Sequence, residues 1–151
     1  MELDATLDDL VRLQEEYEKR VKEAAEPVKQ YIADFVRSTP HLHTIKWQQY
    51  TPYFNDGDTC EFGMYDPGFY FDDDDASDGY IEEYSVWVYD GSVHCNDALK
   101  KHDDWEQIAR ACHEFSAKLM ALEAICQRAF GDHVEITATA TGITIEEYDH
   151  D

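Results

Sequence analysis

Residues 133–149 read HVEITATATGITIEEYD. Two β-rich runs, 133–140 and 143–149, are separated by Thr141-Gly142, and so short a connection favours an antiparallel hairpin. A helical rhythm runs directly into it. Trp105, Ile108, Cys112, Phe115, Leu119, Leu122, Cys126 and Ala129 recur in steps of three and four, which places one apolar stripe along a helix. Asp103 and Asp104 suit its positive N-terminal end and Gly131 suits the position just past its last turn. The reading is a helix over 103–130 followed by a C-terminal hairpin over 133–149.

The N-terminal segment repeats the rhythm. Leu3, Leu7, Leu10, Gln14, Tyr17, Val21, Ala24, Val28, Tyr31 and Phe35 form a heptad-like seam, interrupted only by Gln14. Thr6 with Asp9 resembles a capping box and suggests a start near Thr6. Pro27 lacks a backbone donor and crowds the preceding turn, so a kink is expected there. The expectation is a long kinked helix over 4–38, with both stripes buried in the core. Between the helices lie strand candidates at 43–53, 59–65, 68–72 and 80–90. They are punctuated by the turn signals Asn55-Asp56-Gly57-Asp58 and Asp66-Pro67-Gly68 and by the acidic loop 72–79, DDDDASDG. The order helix, strands, helix, hairpin predicts an α+β fold. An antiparallel sheet of about four to six strands would pack against two long amphipathic helices, as a single domain over 1–151.

Charge is distributed unevenly over this plan. The formal net charge is −22. Between Lys46 and Lys100 there is no Lys or Arg, but there are Asp56, Asp58, Glu61, Asp66, Asp72, Asp73, Asp74, Asp75, Asp78, Glu82, Glu83, Asp90 and Asp97. After Arg128 come Asp132, Glu135, Glu146, Glu147, Asp149 and Asp151, again with no Lys or Arg. The basic residues are expected on the helices or their flanks and the carboxylates in the sheet layer. Aromatic residues are dense through the same acidic stretch, so it is expected to fold. A one-signed surface of this kind repels nucleic acid and anionic membranes and attracts basic protein patches or cations. No run approaches the ~20 apolar residues of a membrane span. Met-Glu-Leu-Asp does not begin a signal peptide, so the cytosol is the expected location. The four cysteines, Cys60, Cys95, Cys112 and Cys126, contain no CxxC pair and are expected to be reduced, with Cys112 and Cys126 in the core.

Signals for chemistry are few. Asp56, Asp58 and Glu61 cluster around the first turn and offer the oxygen ligands that Ca²⁺, Mg²⁺ or Mn²⁺ prefer, but their spacing is not that of the twelve-residue calcium loop. His41 and His43 share one face if that segment is extended, and with a cysteine they form a zinc set on paper. Glu82-Glu83 and Glu146-Glu147 are adjacent pairs, which a strand points to opposite faces. No GxSxG, phosphate loop or dinucleotide fingerprint is present. No catalytic residue and no cofactor is assigned.

The block Trp47-Gln48-Gln49-Tyr50-Thr51-Pro52-Tyr53-Phe54-Asn55-Asp56-Gly57-Asp58-Thr59-Cys60-Glu61-Phe62 resembles a segment of small uncharacterised proteins of tailed bacteriophages and related bacterial sequences, where it follows a long N-terminal helix. The resemblance covers roughly residues 30–65. It implies a phage origin, and hence the host cytosol, and it carries no functional residue over. The leading expectation is a non-enzymatic acidic binding protein that inhibits or modulates a basic host factor. That factor would be one that binds nucleic acid, in the manner of an anti-defence mimic. Asp66, Asp72, Asp73, Asp74, Asp75, Asp78, Glu82, Glu83, Glu146 and Glu147 would form the contact surface. Duplex DNA carries one charge per ~1.7 Å of axis, whereas acids at alternate positions of a strand give one per ~6.6 Å. Several strands and the Asp run would therefore have to share the work. The alternatives are a metal-dependent enzyme or cation-binding module, and a structural protein that dimerises through the N-terminal helix.

Overall fold

Ile45, Trp47 and Gln49 alternate along β1 (Leu42–Tyr50) and are each fully buried. Alternation in a strand sends every second side chain to one face, and this face meets the helices. The computed structural model describes residues 2–53 and 57–149 and shows an α+β fold built around β1. One edge of β1 pairs with β3 (Gly68–Phe71) over its first half and with β2 (Gly63–Met64) at its end. The other edge pairs with β6 (Val134–Thr139), which pairs with β7 (Gly142–Glu147). All pairings are antiparallel, and the C-terminal hairpin forms where the Thr141-Gly142 turn requires it. Gly142 sits at φ 150, a conformation that costs a side-chain-bearing residue strain.

The core lies between this sheet and the helices. α1 (Glu2–Ser38) contributes Val28, Ile32 and Val36, and the sheet contributes Ile45, Trp47, Phe69, Phe71, Ile136 and Ala138. α3 (Trp105–Ala121) contributes Ile108, Cys112, Phe115 and Leu119, and α4 (Glu123–Phe130) contributes Cys126 and Phe130. Phe115 is the hub. Its ring stacks on Phe35 at 4.2 Å and on Tyr31 at 5.7 Å, and it meets Phe69 edge-on at 6.2 Å. Burying a ring of this size contributes about 1.5–3 kcal/mol. The four cysteines are free thiols, and burial pushes the Cys126 thiol up to about 12.

Several elements differ from the sequence expectation. The helix over 103–130 is two helices, broken at Leu122 (φ −98, ψ 26), where a three-residue step tightens the last turn of α3. The break lets α4 leave the line of α3 and pack along α1. The run 80–90 is not one strand. Ile81–Tyr84 forms a 3-10 turn, and only Trp87–Tyr89 (β4) is extended. It pairs with β5 (Ser92–His94) in a separate hairpin, which leads into the short α2 (Asp97–Lys100). Asp90 and Gly91 turn that hairpin at φ 50 and 78, a two-residue signal of the Asp-Gly type. The strand expected at 59–65 shrinks to two residues.

The largest correction concerns α1. It begins at Glu2, before Thr6, and passes Pro27 without interruption. Its seam is half-buried from Val21 and enters the core at Val28. Leu3, Leu7, Leu10 and Tyr17 are exposed, as is every residue from Leu3 through Arg20. Length explains this. At ~1.5 Å per residue the 37 residues of α1 span about 55 Å, whereas β1, with 9 residues, spans about 30 Å. The free part is held by its own ladder and by neighbouring pairs on its surface, Arg12–Asp9, Arg20–Glu16 and Lys19–Glu23. Removing residues 1–13 is therefore expected to leave the thermal midpoint within about 1 °C, because surface changes cost ~0.5 kcal/mol or less. A calorimetric scan checks it, and a loss of several degrees would place those residues in the fold. Among the described residues no helix is long and apolar enough to cross a membrane.

Candidate functional site

The second face of the sheet carries Thr44, Lys46, Gln48 and Tyr50 from β1, with Thr139, Thr137 and Glu135 opposite them on β6. Glu146 lies beside Glu135 on β7, and Glu147 points the other way beside Val134. The segment 72–85 folds over one end of this face. It is hydrogen-bonded throughout and is more than a solvated acidic loop. Asp74 accepts from the Phe71 amide at 2.9 Å and from the Asn96 side chain. Asp75 accepts from the amide and hydroxyl of Ser77. Asp78 accepts from the Tyr80 amide at 3.0 Å and from the Tyr84 hydroxyl at 2.8 Å. Tyr84 stacks on Tyr70 at 4.2 Å. Gly68 seats the 3-10 turn: a Cβ there would stand 2.9 Å from both the Ile81 side chain and its carbonyl.

Lys46 lies beneath this cover. It is 7% exposed. Its ammonium donates to the Ala76 carbonyl at 2.7 Å and pairs with Glu135 at 3.0 Å. Among the described residues it is the one Lys or Arg on a strand, an exception to the expected division of charge. Its charge is spent internally, on Glu135 and the loop.

Where the cover ends, a cleft of about 430 Å³ opens. Gln48 and Tyr50 form its floor, Tyr65 and Asp66 one wall, Gly79 to Glu82 and Ser85 the other, and Tyr148 closes the end. Tyr50 stacks on Tyr65 at 4.5 Å and lies 5.7 Å from Tyr148. Burial, with a hydrogen bond to Tyr50, pushes the Tyr65 hydroxyl up to about 12, so it stays a neutral donor. Gln48 donates to Glu135 at 3.3 Å. No Lys or Arg lines the cleft, and two carboxylates, Asp66 and Glu82, do. The volume falls in the range of ligand pockets. Aromatic faces beside carboxylates attract a cation, by quadrupole and by charge.

No family model, no curated protein and no solved structure matches this chain. The site is therefore read from its own residues.

Of the expected contact residues, Asp66 and Glu82 line the cleft and Glu146 shares its face. Asp73 and Glu83 are exposed elsewhere on the cover, and Glu147 faces the helix side of the edge strand. Asp72, Asp74, Asp75 and Asp78 each bond to a neighbouring group, while Asp72 and Asp75 remain exposed. Of the expected hard-cation cluster, Asp58 and Glu61 are exposed, and Asp56 lies outside the described residues. The three ligand-type side chains that do converge among the described residues are His41, Asp72 and His102. His41 and His43 do not share a face. His41 has φ 68 and the register shifts between Leu42 and Thr44. His43 turns instead to Thr44 and the Asp74 carbonyl. The tyrosines of the cleft carried only an aromatic signal in the sequence, because their convergence depends on how β1, the 65–66 link and the chain end meet.

The cover responds to acid with a defined sign. The Tyr80 amide and then the Tyr84 hydroxyl hold Asp78 below its ordinary value of 3.8. The hydroxyl and amide of Ser77 do the same for Asp75. A carboxylate depressed in the folded state stabilises it above the unfolded value, and that contribution is lost as pH falls through the folded one. The cover should therefore hold at neutral pH and loosen below about pH 4. Near-ultraviolet dichroism of the stacked Tyr70–Tyr84 pair should report the loosening. Asp78→Asn should flatten this acid transition, and an unchanged profile would exclude Asp78 as its cause.

Proposed function

We propose that this chain is a non-enzymatic acidic binding protein whose cleft receives a basic side chain, arginine or lysine, from a partner protein. The observation that carries the reading is the cleft itself. Its lining combines Tyr50, Tyr65, Tyr80 and Tyr148 with Asp66 and Glu82 and holds no Lys or Arg, and Lys46 on the same sheet face is already paired with Glu135. Tyr80, 67% exposed at the rim, supplies an aromatic surface of the kind that dominates binding energy. The net charge of −22 adds long-range steering toward a basic surface. The partner class this favours is a nucleic-acid-binding protein of a bacterial host, whose basic cleft the acidic face would occupy in place of nucleic acid. This is the role expected of a phage anti-defence protein. Affinity capture from bacterial lysate tests it. Basic proteins should be retained at low salt, released at high salt and competed off by DNA. Asp66→Asn with Glu82→Gln and Tyr65→Ala should abolish their retention. Retention that ignores salt and these substitutions would overturn the reading.

The exposed seam of α1 supports a second role, self-association. Leu3, Leu7, Leu10 and Tyr17 leave one apolar stripe uncovered. A second copy would lay its own stripe against this one and cover both. Light scattering on the full chain and on a chain lacking residues 1–13 decides it: a dimer that becomes a monomer supports the pairing, and a monomer in both cases ends it.

A further inference from the structure

We propose that His41, Asp72 and His102 form a site for one divalent transition-metal ion of the zinc class. The three residues come from three separate segments: the link between α1 and β1, the end of β3, and the link between α2 and α3. One ligand atom from each lies within 4.8 Å of the other two. His102 Nε2 is 2.5 Å from one Asp72 oxygen and His41 Nδ1 is 3.6 Å from the other. The two imidazoles stack face to face, with centroids 3.5 Å apart and planes within 8°.

The backbone around the cluster is held in place. The Asp72 amide donates to the His41 carbonyl at 3.0 Å, which extends the β1–β3 ladder by one step. The His102 amide donates to Leu99 and its carbonyl accepts from Trp105. His41 and Asp72 both occupy the left-handed region, at φ 68 and φ 51. Such positions are uncommon without glycine, and Asp and His are among the residues that adopt them most readily. Lys101, next to His102, is drawn toward Asp73 at 4.0 Å and leaves Asp72 to the histidines.

Ligand chemistry selects the ion. Two imidazoles and one carboxylate suit Zn²⁺, Co²⁺ or Ni²⁺, whereas Ca²⁺ and Mg²⁺ require oxygen sets. Zinc sits ~2.0–2.1 Å from imidazole nitrogen, so its ligands stand ~3.3 Å apart in a tetrahedral shell. The two nitrogen–oxygen separations here, 2.5 and 3.6 Å, bracket that value. The parallel rings aim their lone pairs side by side, so closing on one ion needs one ring to turn about its Cβ–Cγ bond. Each of the three side chains is about a third exposed, at 33%, 32% and 27%, which leaves the fourth position to water. An ion there would tie the start of the 72–85 cover to both helical links. The inference is independent of the cleft reading.

The test uses the untagged full chain, titrated with Zn²⁺ and Co²⁺ by calorimetry in excess Mg²⁺ and moderate salt to suppress diffuse binding to the carboxylates. The expected result is one saturable site per chain, a Co²⁺ absorption spectrum of a nitrogen–oxygen set, and a higher thermal midpoint with metal. His41→Asn, Asp72→Asn and His102→Gln should each weaken binding by roughly 100-fold or more, beyond the ~10–100-fold that outer-shell partners are worth. Asn is chosen at 41 and 72 because it tolerates positive φ. Cys60→Ser with Cys95→Ser should leave binding unchanged, and far-ultraviolet dichroism confirms that each variant is folded. Absence of a saturable site would overturn the proposal. So would a site that survives the three substitutions or disappears with the cysteines.

Discussion

Gln49→Ala is expected to lower the thermal midpoint by roughly 10 °C. Gln49 is fully buried and every polar atom of its amide is used. Its oxygen accepts from the Trp47 indole at 3.0 Å, and its nitrogen donates to the carbonyls of Cys126 at 3.0 Å and Gly131 at 2.7 Å. Gly131 directly follows α4 and Cys126 lies one turn inside it, so the amide grips both the body of the helix and its end. One side chain of the central strand thus closes the end of a helix and fixes the orientation of the core tryptophan. Truncation strands one donor and two acceptors away from water, at about 1–3 kcal/mol each in the worst case, and leaves a cavity. A total of ~3–5 kcal/mol corresponds to roughly 10 °C for a chain of this length. Gln49→Leu separates the causes. It restores volume without hydrogen bonds and should recover only a minor part of the loss. A leucine variant as stable as the parent would show that packing alone matters here.

Lys46→Met is expected to be comparably damaging, by ~3 kcal/mol, for an electrostatic reason. Removing one partner of a buried ion pair leaves the other charge without compensation, at about 3–5 kcal/mol. Here the group left behind is Glu135, 23% exposed and beside Glu146. The Ala76 carbonyl loses its donor as well, so the 72–85 cover should loosen along with the global loss. Adding Glu135→Gln should restore much of the stability. A double-mutant cycle by urea unfolding gives the coupling directly, and additive losses would mean that the pair is not coupled.

Both residues show what could be read from the sequence. The strand candidate at 43–53 and the hairpin at Thr141-Gly142 are local readings, and such readings placed β1, β6, β7 and the α+β class correctly. The block from Trp47 to Phe62 is dense in side chains with structural roles. Trp47 and Gln49 form the buried knot, and Thr51 donates to the Asp132 carboxylate from its amide and hydroxyl at 2.8 and 2.6 Å. Nothing in the spacing of Gln49 says that its amide meets residues 126 and 131. Such contacts depend on where α4 turns away from α3, at Leu122, which has no Gly or Pro to mark it. The local bonding of the Asp run is hidden in the sequence for a related reason. Aspartate is both a surface charge and a cap for nearby amides, and 74, 75 and 78 serve as caps. The histidine cluster was hidden because its members are 31 and 30 residues apart along the chain, and none lies in a metal-binding spacing.

α1 is one uninterrupted helix with two kinds of surroundings, and its amide protons should exchange on two timescales. From Val28 to Val36 opening requires loss of the core, so protection should approach that of global unfolding. From Leu3 to about Leu13 only the helix's own ladder resists, and an isolated segment of that length is marginal in water. Exchange there should be faster by orders of magnitude, with the gradient falling between Gln14 and Val28. Any molecule that settles on the exposed stripe would slow exchange at those first turns and leave the rest of the helix as it was.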